Sequence, residues 1–437
     1  MKREPQHPDA GLSAQALQEE NLRLQRAVQE LALLNDLARE IGASVNMQTI
    51  MQTIIRRSLR AVNAEQGVIT LIDLQASTSM KTLVRTRASS DRQQAFHLEQ
   101  NLQGWMLLHK QPLVINDPAH DERFRGVEWE KSIRSLLCVP LLIKSTLTGI
   151  LTIYNKREGG GFTPDDQRLL GIIAAQSAQV VENARLYEEE QALLRMQEQV
   201  RLAAKIQLDL LPKTMPVLAG YEIAGKTVPA QSVGGDYYDF IPLAEHRLAL
   251  CLGDVTGKGL PASLLMANLQ ATMRGQALAS ASVTQCVQRA NTLLHQSTDE
   301  EKFATLFYAV LDSHAHILHY ANAGHNNPFL FSSSQPQPQP LKTGGIMLGL
   351  LPDYSFKEAS MALQPGDLLV IYSDGITEAQ NAFADEFGEE RLLAVVNQHA
   401  GVALPELVDT LLQEVAAFTG PTPQQDDMTL VALRRVA

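Results

Sequence analysis

LALCLGDVTGKGLPASLLMA, residues 248–267, sets the fold of the C-terminal half. An apolar run closes on Asp254, so the carboxylate stands at the end of a buried strand. Gly253, Gly257 and Gly259 around it let other backbone approach closely. A helical pattern follows, filling about 260–298 as two stretches. Outward from this segment, YEIAGKTV, DYYDFIPL, FATLFYAVLD, HAHILHYANAG and DLLVIYSDG are also apolar or alternating and read as strands. Two further helical stretches fall near 389–418. Strands, an inserted helical pair and strands again predict an α+β sandwich with helices packed outside the sheets.

Acidic clusters mark the strand ends: GGDYYD at 234–239, GDVTGKG at 253–259, SDG at 373–375 and QDDMT at 425–429. A lone Asp-Gly pair is an ordinary turn signal. Several in one segment are harder to explain that way, because unpaired carboxylates buried together repel and lose hydration. Divalent cations would resolve the repulsion, and a hard oxygen donor set favours Mg²⁺ or Mn²⁺ over zinc. Two such ions about 3.5–4 Å apart can share a carboxylate and activate water for attack on phosphorus.

The chain has 437 residues, a length for about three domains, and a net charge of -11. That charge disfavours nucleic acid and anionic membranes as partners. Cys138, Cys251 and Cys286 sit in apolar runs without metal-binding spacing, so zinc is excluded and a reducing compartment expected. With neither signal-peptide pattern nor long apolar span, the expected location is cytoplasmic. Leu17, Leu24 and Leu31 repeat at heptad spacing, with Asn21, Val28 and Asn35 between them. They predict a dimerising coiled coil, or alternatively an amphipathic helix packed on its own domain. Residues 42–185 read as an α+β domain. Thr163 is placed to cap its last helix, with Pro164 at the first helical position and Asp165 and Asp166 in the first turn. That helix runs on to Pro212. Leu186, Leu193 and Val200 form one heptad row along it, and Met196, Ala203 and Leu210 another. The pattern suits either a signalling lever between parallel partners or a rigid spacer. SSSQPQPQP, 332–340, reads as a surface loop.

AAKIQLDLLP, VPAQSVGGDYYDF, GDVTGKGLPASLLMA, FATLFYAVLD, YANAGHNNP, IYSDGITEA and DDMTLVAL, in this order over about 203–435, resemble the PPM family of metal-dependent serine/threonine phosphatases, in its bacterial SpoIIE/RsbU-like branch. The resemblance implies an α-β-β-α sandwich with two Mn²⁺ or Mg²⁺ ions between its sheets and a metal-activated water as nucleophile. It implies that Asp254 bridges both ions, that Asp236 and the Val255 carbonyl hold one, and that Asp374 and Asp426 hold the other. Asp427, adjacent to Asp426, leaves that last assignment ambiguous, and Asp239 is read as structural. Animal members carry a His where this chain has Thr256, so the general acid stays open. His325 is read as holding a loop, and Lys258 either pairs with phosphate or is a surface lysine at a helix start.

LQGWMLLHKQPLVINDPAHDERF, SLLCVPLLIKSTLTGILTIYNK and FTPDDQRLLGIIAAQSAQVVENA resemble a GAF domain. Asn155, Lys156, Phe162 and Asp166 follow four letters of the pattern seen in cyclic-nucleotide-binding members, with Gln167 in place of its final Glu. The same letters also hold loop and helix together in members without a ligand. The expected organisation is an α+β multidomain chain: 1–41, a tip and coiled-coil helix; 42–185, a GAF sensor; 186–211, a signalling helix linker; and 212–437, the phosphatase sandwich. The two heptad segments predict a parallel homodimer, and the resemblance implies action on phosphoserine or phosphothreonine of a small anti-sigma-factor antagonist. The rival reading is a catalytically degenerate docking protein that senses a small ligand through its GAF domain.

Overall fold

A computed structural model describes residues 18, 20, 21, 47–72, 80–86, 100–157, 159–299, 301–332, 334, 335 and 337–436. The heptad positions Leu17, Leu24 and Leu31 lie outside the described residues. The chain forms two compact units, 1–194 and 195–437. Among the described residues no helix is long and apolar enough to cross a membrane.

In the first unit, α1 (Met47–Ala61) precedes β1 (Ala64–Ile72), β2 (Met80–Thr86), α2 (Gln100–His109), β3 (Leu113–Ile115), β4 (Leu136–Ile143) and β5 (Thr146–Lys156). The strands form one antiparallel sheet in the order β2-β1-β5-β4-β3. Side chains alternate across it, as the period of two requires. Leu137, Val139, Leu151 and Ile153 pack under Ile50, Ile54 and Leu59 of α1 and Leu170, Ile173 and Val181 of the following helix. Leu136, Cys138, Ile150 and Tyr154 face the other way, onto Leu102 and Met106 of α2.

Helix α3 (Pro164–Leu210) begins where the sequence signals a start. Thr163 Oγ1 accepts the Asp166 amide at 3.2 Å, and Asp166 Oδ2 accepts the Thr163 amide at 2.9 Å, a reciprocal capping box. The helix ends two residues before Pro212. Leu186, Leu193, Met196 and Leu202 on it are exposed.

The second unit contains two sheets, antiparallel throughout except where Gly344–Gly345 runs parallel to Ile317–Ala323. One has the order β13-β10-β9-β8-β7, from Gly344–Gly345, Ile317–Ala323, Ala304–Asp312, Arg247–Val255 and Tyr237–Ala244, with β14 (Ala359–Ala362) also pairing β10. The other has the order β12-β11-β15-β16-β6, from Gln339–Pro340, Phe329–Phe331, Leu368–Tyr372, Met428–Arg435 and Tyr221–Val228. Leu369, Ile371, Val431 and Leu433 point at the first sheet, into a core with Phe240, Leu250 and Leu252. Their neighbours Leu368, Val370, Leu430 and Ala432 point outward, onto Leu392 of α7 (Gly388–Gln398) and Leu407 and Leu411 of α8 (Leu404–Thr419). α4 (Leu260–Ala279) and α5 (Val283–Ser297) pack on the first sheet through Met266, Leu269, Val287 and Leu294. This is the expected α-β-β-α sandwich.

MTLVALRR, read in sequence only as the tail of an acidic motif, is strand β16, inside its sheet between β15 and β6. The end of the proline-rich stretch, Gln339–Pro340, is not free loop: it pairs with β11, since an edge position tolerates a proline without an N–H. Asp239 is fully buried and structural. It accepts from Arg274 Nε at 2.6 Å, Tyr237 Oη at 2.9 Å and the Phe240 amide at 2.8 Å. All three cysteines are buried free thiols, and burial pushes Cys138 up to about 12.

Candidate metal centre

Strand register brings the acidic clusters to one end of the sandwich. The β7–β8 ladder pairs Tyr237 with Gly253, which sets Asp236 across from Asp254. Asp254 in turn stands beside Thr305 of β9. From the other sheet, Asp374 follows β15 and opens the short turn α6 (Asp374–Thr377), while Asp426 and Asp427 immediately precede β16. Two hydrogen-bond systems join the sheets here. Thr429 Oγ1 of β16 donates to Asp236 Oδ2. Asp427 accepts from the amides of Ala230 at 2.8 Å, Gly235 at 2.6 Å and Asp236 at 3.3 Å. Asp427 therefore fastens the 230–236 loop, and Asp426 is the partner left facing the cleft. Asp426 Oδ2 lies 2.8 Å from Lys258 Nζ, which also donates to the Gln425 carbonyl at 2.7 Å.

Glycines make these approaches possible. A methyl group on Gly375 would collide with the Asp427 carbonyl, and one on Gly234 with the Asp427 carboxylate. One on Gly235 would stand 3.0 Å from Asp254 Oδ1 and 3.2 Å from the Val255 carbonyl oxygen. The space beside Gly235 is thus bordered by two of the oxygens the sequence nominates.

The electrostatics are those of buried carboxylates that repel one another. Burial, then Asp374, Asp426 and Asp427, raises Asp254 to about 7. Burial, then Asp254, pushes Asp236 well above the usual carboxylate range, against the hydrogen bond from Thr429. Burial and Asp426 raise Asp374. Among the described residues no three Asp, Glu, His or Cys side chains converge tightly enough to ligate one ion. Asp236, Asp426 and Asp427 are each turned onto a protein donor. The donor set is all oxygen, and the cradle at Gly235 fits a small hard cation.

Several supporting residues escaped the sequence reading. Thr429 was passed over beside its acidic neighbours. Gln207, in AAKIQLDLLP, clamps the GGD loop from α3. Its Nε2 donates to the Gly234 carbonyl at 2.6 Å, and its Oε1 accepts the Gly234 amide at 3.0 Å. Ser373 Oγ donates to the Asp427 carbonyl at 3.0 Å and accepts the Thr429 amide at 2.9 Å. His325 is fixed in place, with Nδ1 2.9 Å from Thr305 Oγ1 and its backbone N–H on Asn322 Oδ1 at 2.8 Å. Burial drives its imidazole down to about 4, so it is neutral at pH 7 and fits the loop-holding role.

In the first unit the four nominated residues are all engaged internally. Asn155 Oδ1 accepts the Arg134 amide at 2.8 Å, and its Nδ2 donates to the Ser132 carbonyl at 2.9 Å and Glu65 at 3.0 Å. Lys156 Nζ pairs with Asp166 at 2.7 Å. Phe162 is buried in the core under α3. Lys156 and Asp166 tie β5 to the start of α3, and Asn155 ties β5 to the 132–134 segment and β1.

Known proteins agree with this architecture. A family model described as Stage II sporulation protein E (SpoIIE) matches residues 244–436, and one described as GAF domain matches 44–182. Phosphoserine phosphatase RsbU of Bacillus subtilis (strain 168) is 30% identical over 255 residues, covering 57% of this chain and 75% of RsbU. Phosphoserine phosphatase RsbP of the same organism is 25% identical over 194 residues, covering 43% of this chain and 47% of RsbP. The solved SiaA-PP2C domain of Pseudomonas aeruginosa is 22% identical, with a TM-score of 0.49, covering 56% of this chain and 98% of that domain. With three quarters of RsbU spanned at this identity, the chain belongs to the SpoIIE/RsbU-like branch of the metal-dependent phosphatases, with a GAF domain ahead of the phosphatase domain.

Proposed function

We propose that this chain is a protein phosphatase that hydrolyses phosphoserine or phosphothreonine, using two Mn²⁺ or Mg²⁺ ions in the cleft. The observation that supports the reading is that Asp236 and Asp254 from one sheet and Asp374 and Asp426 from the other lie at the same end of the sandwich, where burial and neighbouring carboxylates raise the pKa of Asp236, Asp254 and Asp374. Asp254 would be shared between the ions. Asp236 and the Val255 carbonyl would complete one, and Asp374 and Asp426 the other. Ions held there would offset the carboxylate charge and lower the pKa of water for in-line attack on phosphorus. The protein's own residues prepare that geometry. Thr429 orients Asp236, Asp427 and Gln207 fix the loop that carries it, and Gly235 leaves room beside Asp254. Lys258, paired with Asp426, would meet a phosphate oxygen.

RsbU and RsbP are named phosphoserine phosphatases, which supports a phosphoprotein substrate. We propose that it is a small anti-sigma-factor antagonist in a partner-switching pathway, dephosphorylated in the cytoplasm. The division 1–41, 42–185, 186–211 and 212–437 is proposed as coiled coil, GAF sensor, signalling helix and phosphatase. The exposed leucines of α3 support a parallel homodimer. The test is release of phosphate from a phosphoserine protein or peptide. Activity that requires Mn²⁺ or Mg²⁺ and disappears in EDTA is expected, and absence of turnover at any divalent cation concentration would refute the reading.

A further inference from the structure

A pocket of about 220 Å³ opens beside the carboxylate cluster, between α6 and the segment that joins α8 to β16. Lys258 and Asp426 form the wall shared with the candidate metal centre, and Glu378, Gln380, Thr422 and Gln424 line the remainder. Its two ends differ chemically. At the shared wall the Lys258 ammonium is already committed to Asp426 and the Gln425 carbonyl. Further along, no hydrogen bond or ion pair engages the Glu378 carboxylate among the described residues. Gln424 spends its Nε2 on the Val228 and Asp426 carbonyls, which leaves its oxygen as an acceptor.

The rim adds a contact that suits a macromolecule. Gln380 bridges to Glu386 at the base of a loop whose tip, Phe383, is 86% exposed. The loop is ordered from within, since Asn381 Oδ1 accepts the amides of Phe383 at 2.9 Å and Asp385 at 3.0 Å. A pre-ordered exposed aromatic beside a polar pocket is a low-entropy anchor for a protein partner.

We infer that this pocket takes a cationic side chain, Lys or Arg, of the phosphoprotein substrate, close in sequence to the residue that carries the phosphate. The inference rests on the proposed phosphatase reading. The phosphate would enter by Lys258 and the carboxylate cluster, and the cation would lie against Glu378. Volume and acceptor chemistry suit a long basic side chain, while an acidic one would meet the Glu378 carboxylate.

The full-length protein with Mn²⁺ would be assayed on phosphoserine peptides carrying Lys, or its neutral isostere norleucine, at about three positions on either side of the phosphoserine. The expected result at one or two positions is a kcat/KM about three- to fivefold higher for Lys, carried by KM, as suits a partly exposed ion pair. The preference should fall toward one in Glu378→Gln and turn toward Glu-containing peptides in Glu378→Lys. A ratio of one at every position in the wild type, or an unchanged ratio in Glu378→Gln, would overturn the subsite. Hydrolysis of p-nitrophenyl phosphate by the wild type separates the two failures. If it proceeds while the peptide ratio is one, only the subsite is wrong. If it is absent, the phosphatase reading falls and the subsite with it.

Discussion

Asp427→Asn should act on stability, whereas its neighbour Asp426→Asn should act on cation binding. Asp427 is buried and receives three backbone amides, from Ala230, Gly235 and Asp236. An Asn side chain has one acceptor oxygen in place of two. In either amide orientation its NH₂ faces an amide donor, so at least one hydrogen bond to a charged acceptor is lost. Such a bond is worth about 1.5–3 kcal/mol. Partial relief of repulsion on Asp236 and Asp254, both of which sense Asp427, offsets some of this, leaving a net cost of about 2 kcal/mol. For a unit of this size that lowers the melting temperature by about 4–8 °C. Asp426 makes only a half-exposed pair with Lys258 and one local amide contact, so Asp426→Asn should cost about 1 kcal/mol or less. Calorimetry on the full chain in EDTA reads the transition of the 195–437 unit directly. A midpoint for Asp427→Asn equal to wild type, or no lower than that of Asp426→Asn, would refute the division of labour. Turnover should fall further in Asp426→Asn than in Asp427→Asn once both are folded.

In EDTA, pH should act in the sense opposite to a salt-bridged carboxylate. Asp254 titrates near 7 when folded against 3.8 for the free side chain, so the folded state binds the extra proton. Stability should rise as pH falls from about 8 toward 5, and Mn²⁺ should remove the effect; a midpoint higher at pH 8 than at pH 6 would contradict this. Gln207→Leu leaves Gly234 N–H and C=O unpaired, and should weaken Mn²⁺ affinity severalfold with the fold retained; unchanged affinity would sever α3 from the site. Light scattering should return a dimer that Leu24→Glu with Leu31→Glu weakens, and a monomer at micromolar concentration would exclude it. Inserting two residues after Met196 turns the downstream helix by about 200°, whereas seven nearly restores the face. The first should alter Mn²⁺ dependence more than the second, and equal behaviour would make the helix a spacer.

The sandwich was legible because its strands are buried on both faces and so read as continuous apolar runs: Leu369 and Ile371 face the other sheet, Leu368 and Val370 the outer helices. The start of α3 was legible because Thr163, Pro164 and Asp166 are local signals that tertiary context did not override. Strand β16 was missed because its acidic leader drew the reading. The convergence of the aspartates followed from motif order, whereas their partners did not. Nothing local to Gln207 or Thr429 announces a contact with Gly234 or Asp236, since those pairs are set by how two sheets close on each other. The division between Asp426 and Asp427 was likewise hidden, because adjacent side chains on an extended segment point opposite ways and only the packed loop decides which one is buried.

The central claim is that Asp254 joins two cations between the sheets. Calorimetric titration of Mn²⁺ into wild type and Asp254→Asn, with turnover measured on the same samples, tests it most directly. Two ions per chain are expected in the wild type, with loss of at least one and a fall of several orders of magnitude in turnover in the variant, whose unfolding midpoint in EDTA is not lowered. An Asp254→Asn protein that still binds two Mn²⁺ ions and turns over at a near-normal rate would contradict it.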